Sequence, residues 1–321
     1  LSALLALLER RGAATRIGGD WRLRADAPGD DPEALWRRLI AEYPDHLASL
    51  ELVGRCGERL QAILRGEADA ESLLFSERDF NAGEQFEDSD PFVRIGNEIA
   101  AGVMGHIRQH TAAGRALRIL EIGGGAGGLA AALLSVLPAE RVEYVFTDPR
   151  EAALTRAEGR FTDYPFVRYA ALDFDQDFEG QGFAAAEFDV IVAANAMHEC
   201  ADLGRALARA RELLRPGGLL LLVEPKPSDF LEFVFGIRRR WWSFADLDLR
   251  AETPLLPPSQ WESALRTAMF TETAVLPREA APVAVILARA PSGNGHHRAE
   301  AAGEPRTFVL ITSGADRKSV V

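Results

Sequence analysis

The sequence predicts an α/β fold built on a largely parallel sheet, and three observations carry that expectation. From about residue 115 apolar segments alternate with helical ones. The apolar segments are nearly continuous, as in "FDVIVAANAM" and "LLLLVEP", and a glycine-rich run separates the first of them from the helix that follows. Strands that are apolar on both faces are buried on both faces, which is the condition of a parallel sheet covered by helices.

Residues 1–110 read as mainly helical. "LSALLALLERRGAA" is an amphipathic helix, "TRIGGDWRLRA" a short hairpin, and "PEALWRRLIAEYPDHLASLELVGRCGERLQAILRG" has apolar residues at three- and four-residue steps until Gly66 stops it. "SERDFNAGEQFEDSDP" reads as an acidic, turn-rich connector before another helix, "FVRIGNEIAAGVMGHIRQH". Residues 111–290 hold the strand–helix alternation, and "PVAVILARA" is a late strand. In 291–321, "PSGNGHHRAEAAGEP" reads as a polar linker and "TFVLIT" as the first strand of a following domain, so the chain reads as a segment of a longer polypeptide.

A composition of 47% hydrophobic and 26% charged residues is that of a globular chain. The net charge of -12 argues against a nucleic-acid surface, which needs clustered Lys and Arg. No apolar run is long enough to cross a bilayer. Cys56 and Cys200 are far apart and lack metal-site spacing, so a reducing, cytoplasmic setting is expected.

Gly123, Gly125 and Gly128 form G-x-G-x-x-G between a strand and a helix. Glycines there permit a tight turn and close approach of a ligand to the backbone. The pattern serves nicotinamide dinucleotides and S-adenosylmethionine alike, and a plain strand-to-helix turn also fits. The acids favour S-adenosylmethionine. Asp148 ends the second strand, where a carboxylate accepts both ribose hydroxyls, although Pro149 after it also suits a helix cap. Asp173 ends the next strand, beside Phe174, placed to hold an adenine amino group while the ring packs. Glu121 suits a cationic amino group and would repel a pyrophosphate.

His198 follows the fourth strand, at the edge where open α/β sheets bind their ligands. Asn195 lies three residues earlier, and Glu224 ends the neighbouring strand. A carboxylate that orients an imidazole and stabilises its cation makes a general base, whereas two residues that merely finish their strands are the plainer alternative. No metal is expected: His106 and His110 have i, i+4 spacing without a third ligand, and His296 and His297 fall in the linker.

Taken together, "LRILEIGGGAGGLAAALLSVLP", "YVFTDPR", "FVRYAALDFDQD", "FDVIVAANAMHEC", "LLRPGGLLLLVEP" and "LEFVFGIRRRWWSF" resemble the methyltransferase domains embedded in modular polyketide synthases. Upstream, "GRCGERLQAILRGEADAESLLF" resembles their helical lid. The resemblance runs from about residue 35 to 290. It implies a class I, Rossmann-like methyltransferase core with a seven-stranded sheet and an N-terminal helical lid. It implies S-adenosylmethionine as cofactor, held by Glu121, Gly123, Gly125, Asp148, Asp173, Phe174 and Ala194, and a catalytic set of His198 and Glu224 with Asn195 positioning the substrate. The substrate would be an acyl chain on the phosphopantetheine of an acyl carrier protein, with neighbouring synthase domains as further partners.

Such domains methylate either the α-carbon of a β-keto thioester or a β-hydroxyl. Carbon methylation runs through an enolate, which benefits from a hydroxyl donor. Carbon-methylating relatives carry a Tyr in the connector, where this chain has Phe86, and a small residue after the His, where it has Glu199 and Cys200. On those departures β-hydroxyl methylation is expected, with α-carbon methylation or a catalytically silent scaffold as alternatives. Phe86, Trp241 and Trp242 are expected to wall the acyl tunnel, and Arg238–Arg240 to meet the pantetheine phosphate or an acidic carrier. A solvated basic helix end with core tryptophans is the alternative reading of that stretch. A nicotinamide-dependent reductase would require an all-parallel sheet; an antiparallel strand inserted at one edge excludes it.

Overall fold

The computed structural model describes residues 1–24, 31–75, 81–109, 115–276 and 281–292. The N-terminal part comprises α1 (Ser2–Arg10), the hairpin β1 (Ala14–Ile17) and β2 (Asp20–Leu23), then α2 (Pro32–Glu42), α3 (Leu47–Leu64), α4 (Ala70–Leu74), α5 (Ala82–Ser89) and α6 (Pro91–Gln109). The acidic connector therefore contains a helix where turns were expected. Asn81 caps it, its side chain accepting from the Glu84 amide at 3.0 Å, so a local start signal lies inside an acid-rich run.

The remaining elements are β3 (Leu117–Glu121), α7 (Gly128–Leu134), β4 (Val142–Thr147), α8 (Glu151–Arg160), β5 (Val167–Ala170), β6 (Phe188–Ala194), α9 (Leu203–Leu213), β7 (Leu214–Pro225), α10 (Asp229–Val234), α11 (Pro258–Thr267), β8 (Thr273–Leu276) and β9 (Val283–Arg289). The strands β3 to β9 form one seven-stranded sheet in the order β5-β4-β3-β6-β7-β9-β8. It is parallel throughout except for β9, which runs antiparallel to both β7 and β8 and lies between them. This is the class I methyltransferase arrangement, and the inserted antiparallel strand excludes the reductase.

Period-two alternation sorts the strand residues onto two faces. Ile191, Ala193, Leu220 and Leu222 pack with α9 and α11. Val190, Val192, Leu221 and Val223 pack on the other side with α6 and α7. Thus α6, grouped at the sequence level with the lid, covers the sheet through Ala100, Ala101 and Met104. A separate apolar cluster joins the lid to the core: Leu52 and Cys56 of α3 and Leu74 of α4 meet Val234, Phe235 and Trp241. Chain order reverses between β3 and β6, and the crevice beyond their C-terminal ends is where such sheets bind ligands. From residue 293 the expected linker and following domain lie outside the described residues.

Close approach of α6 to the sheet depends on Gly96. A Cβ there would lie 2.6 Å from Val223 Cγ1 and 3.2 Å from Val283 Cγ2. Gly96→Leu is therefore expected to destabilise the chain by about 1–3 kcal/mol through overpacking, read as a lowered midpoint in thermal or urea unfolding.

Candidate active site

The glycine run turns the chain away from β3 and leaves a crevice beside it. Gly123 has φ 64°, and a Cβ on it would lie 2.7 Å from the Ala196 Cβ, so the loop can approach the end of β6 only without a side chain. Gly125, at φ 53°, donates its amide to Asp148 at 3.0 Å. Asp148 is buried and also accepts from the backbone amide and Nε of Arg150, both at 2.9 Å. Phe174 and Ala194 line the same crevice. Asp173 stands next to Phe174 but is not among the lining residues; its carboxylate accepts from the Asp175 amide at 2.9 Å.

Glu121 is the second buried acid of this crevice. Tyr144 donates its hydroxyl to Glu121 at 2.9 Å, yet burial pushes the carboxyl up to about 8. Asn97 of α6 also lines the crevice, and its buried Oδ1 has no hydrogen-bond partner among the described residues. A loop with no room for side chains, a buried acid needing a cation and an acid at the end of β4 fit S-adenosylmethionine.

At the end of β6 the chain makes a sharp turn. Asn195 adopts φ 53°, a left-handed conformation that Asn tolerates better than most residues, and its amide donates to Val223 O at 2.9 Å. Beyond it, the Ala196 and Met197 amides donate to Glu224 Oε1 at 3.2 and 2.8 Å, and His198 Nδ1 meets Glu224 Oε2 at 2.8 Å. Glu224 and His198 are both buried. Burial alone would depress the imidazolium. The Glu224 carboxylate, helped by the more distant Glu199 and Glu87, outweighs that and holds His198 above its ordinary range.

Arg250, which nothing in the sequence pattern singles out, secures the turn from below. It is fully buried and donates to the carbonyl oxygens of His198 at 2.9 Å and Cys200 at 2.8 Å, with Asp246 balancing its charge. The Cys200 thiol donates to Met197 O at 2.9 Å, and burial raises its pKa strongly. It is a packed structural thiol. Glu199 lies 3.5 Å from both Arg238 and Arg240.

His198 opens onto a second cavity of about 370 Å³ between lid and core, with mostly apolar walls. Phe86 and Trp241 line it. Trp241 stands edge-on to His198, ring centroids 5.5 Å apart, and stacks on Phe235. Trp242 does not line it; its indole N–H donates to Gly236 O at 2.8 Å. Arg238 is buried, forked onto Glu71 at 2.7 and 2.8 Å, and lies over the Phe75 ring. Of the basic trio, only Arg239 and Arg240 are exposed.

Glu87, Asn195, Glu199 and Arg238 border both cavities, so the crevice and the apolar cavity meet at these side chains. Helix α5, which supplies Glu87, is fastened across the glycine loop to α8: Arg156 pairs with Glu84, and Arg160 with Asp88 at 2.7 Å. His106 lies on α6, whereas His110, His296 and His297 fall outside the described residues. Chemically, the arrangement offers a buried imidazole with an orienting carboxylate, facing an apolar chamber that adjoins the glycine crevice.

Residues 120–220 match a family model described as a methyltransferase domain. A non-reducing polyketide synthase, mapC of Penicillium roqueforti (strain FM164), is 33% identical over 245 residues, covering 74% of this chain and 10% of that protein. The chain thus spans about a tenth of the length of the curated relatives it matches. Among solved structures, the CurJ carbon methyltransferase superposes with a TM-score of 0.85 at 33% identity, covering 91% of this chain and 79% of that one. The trans-methyltransferase CalH, in complex with SAH, gives a TM-score of 0.67 at 29% identity, covering 80% of this chain and 71% of that one. Sheet order, glycine crevice and these likenesses agree, and the chain belongs to the S-adenosylmethionine-dependent methyltransferase domains found in polyketide synthases.

Proposed function

We propose that this domain methylates the α-carbon of a β-ketoacyl group presented on the phosphopantetheine arm of an acyl carrier protein. The observation that carries the reading is the buried His198–Glu224 pair at the junction of the cofactor crevice and an apolar cavity suited to an acyl chain. Carbon as acceptor, rather than the β-hydroxyl expected from sequence, is supported by the likeness to a protein described as a carbon methyltransferase. Of the departures that favoured oxygen, Phe86 lines the cavity without a hydroxyl, while the other two have partners of their own. Cys200 is turned into the core, and Glu199 is engaged by Arg238 and Arg240.

S-adenosylmethionine, when bound, supplies an electrophilic methyl group on a sulfonium. Glu121 would take its cationic amino group, Asp148 its ribose hydroxyls, and Phe174 would pack against the adenine. The Nε2 of His198 removes the α-proton of the acyl thioester, the C–H electron pair passes into the enolate, and Glu224 stabilises the imidazolium that forms. Asn195, shared by both cavities, positions the acyl group. The apolar walls keep water from the enolate, and catalysis otherwise rests on proximity and a matched base.

Offering β-ketoacyl and β-hydroxyacyl carrier proteins with S-adenosylmethionine, and reading the product by mass spectrometry, tests the acceptor. A methylated product from the keto substrate alone is expected; methylation of the hydroxy substrate alone would return the assignment to oxygen.

Turnover requires neutral His198, so the rate should rise with pH through a midpoint above the ordinary histidine value. His198→Ala should lower kcat by roughly 10²–10⁴-fold with cofactor affinity retained. In Glu224→Gln burial dominates, so the ascending limb should move to lower pH while the rate falls. An unmoved limb in a pH–rate profile would remove Glu224 from this role.

Because burial holds the Glu121 carboxyl at about 8, it carries a proton at pH 7 in the free domain. A cationic amino group drawn to it favours the carboxylate, so cofactor binding at pH 7 should release close to one proton. Calorimetry in buffers of different ionisation enthalpy measures this. Glu121→Gln should abolish the release and weaken binding by roughly 10–100-fold.

A further inference from the structure

Carbon methylation brings a further requirement beyond the base and its orienting carboxylate. The developing enolate oxygen needs a hydrogen-bond donor in a dry site, and removing such a donor commonly costs about 10²–10³ in rate. Phe86, in the connector where a hydroxyl was sought, has none to give. Trp241 covers His198, but its Nε1 is buried and offers the cavity no donor. Arg238 is committed to Glu71 and Glu199.

We infer that Glu87, one residue beyond Phe86 on helix α5, is a catalytic residue whose protonated carboxyl donates a hydrogen bond to the enolate oxygen of the acyl substrate. The assignment rests on the carbon-methylation reading. Its basis is position: Glu87 borders both the glycine crevice and the apolar cavity, with one carboxylate oxygen 3.2 Å from where a Cβ on Gly125 would lie. It comes from helix α5, whereas Asn195 comes from the end of β6. No side-chain hydrogen bond engages it among the described residues, and it lines the same apolar cavity as His198, so base and donor address one chamber.

The surroundings keep a proton available. Burial first, then Glu199 and Glu84, push the Glu87 carboxyl up to about 7 against the opposing pull of Arg150 and Arg238. In the step itself the α-C–H bond breaks, the proton goes to His198 Nε2, and the electron pair forms the enolate with its charge on oxygen. Glu87 keeps its proton and shares it as a hydrogen bond.

The test separates enolisation from methyl transfer. The chain is mixed with a β-ketoacyl carrier protein in D₂O without S-adenosylmethionine, and α-proton exchange above the buffer rate is followed by rapid quench and mass spectrometry. Glu87→Ala should slow both exchange and kcat by roughly 10²–10³-fold with cofactor affinity nearly unchanged. Glu87→Gln keeps a donor and should retain a tenth or more of both rates. It should also lose the alkaline limb of the pH–rate profile, since its amide does not titrate. Exchange at the wild-type rate in Glu87→Ala would overturn the assignment. So would equal losses in both variants accompanied by weakened cofactor binding, which would make Glu87 a cofactor ligand. If the carbon-methylation reading itself fails, the wild type shows neither exchange nor a methylated keto product, which distinguishes that failure from one confined to Glu87.

Discussion

Everything at this site hangs on one buried carboxylate. Glu224 accepts from two backbone amides and from the His198 ring while lying out of reach of solvent. A charge so placed is tolerable only when its oxygens are satisfied, so the carboxylate dictates the path of the chain that supplies its donors. That path demands the left-handed Asn195, brings Ala196 against Gly123, and sets the imidazole at the chamber wall. Arg250 completes the frame by tying the carbonyl side of the same turn. The geometry of the His198–Glu224 pair is thus enforced by polar satisfaction in a buried place.

The sheet was legible in the sequence because its strands are apolar on both faces and its glycine loop sits between a strand and a helix. His198 and Glu224 were legible for a related reason: each is a polar residue finishing an apolar strand, which is conspicuous. Asp173 met the same criterion, but a carboxylate two residues before a free amide bonds locally, and it turned to Asp175. Trp242 was read with Trp241 as cavity wall, yet a nearby carbonyl claims its N–H.

Other features left no such trace. Arg250 lies 52 residues from the carbonyl it holds, in a stretch without periodicity. Glu87 stands in a run of acids that reads as solvated, and only the closure of α5 over the glycine loop brings it inside. Oxygen chemistry was expected from the letters around Glu199 and Cys200; in the fold Cys200 is turned into the core, whereas Glu199 borders both cavities. In a tight turn, successive side chains point in different directions.

The fastening of α5 has a wider meaning. This eight-residue helix contributes Phe86 to one chamber, Glu87 to the junction, and Glu84 and Asp88 to pairs with α8 across the other. One short helix thus forms a wall shared by both cavities, so any shift of α5 alters the two together.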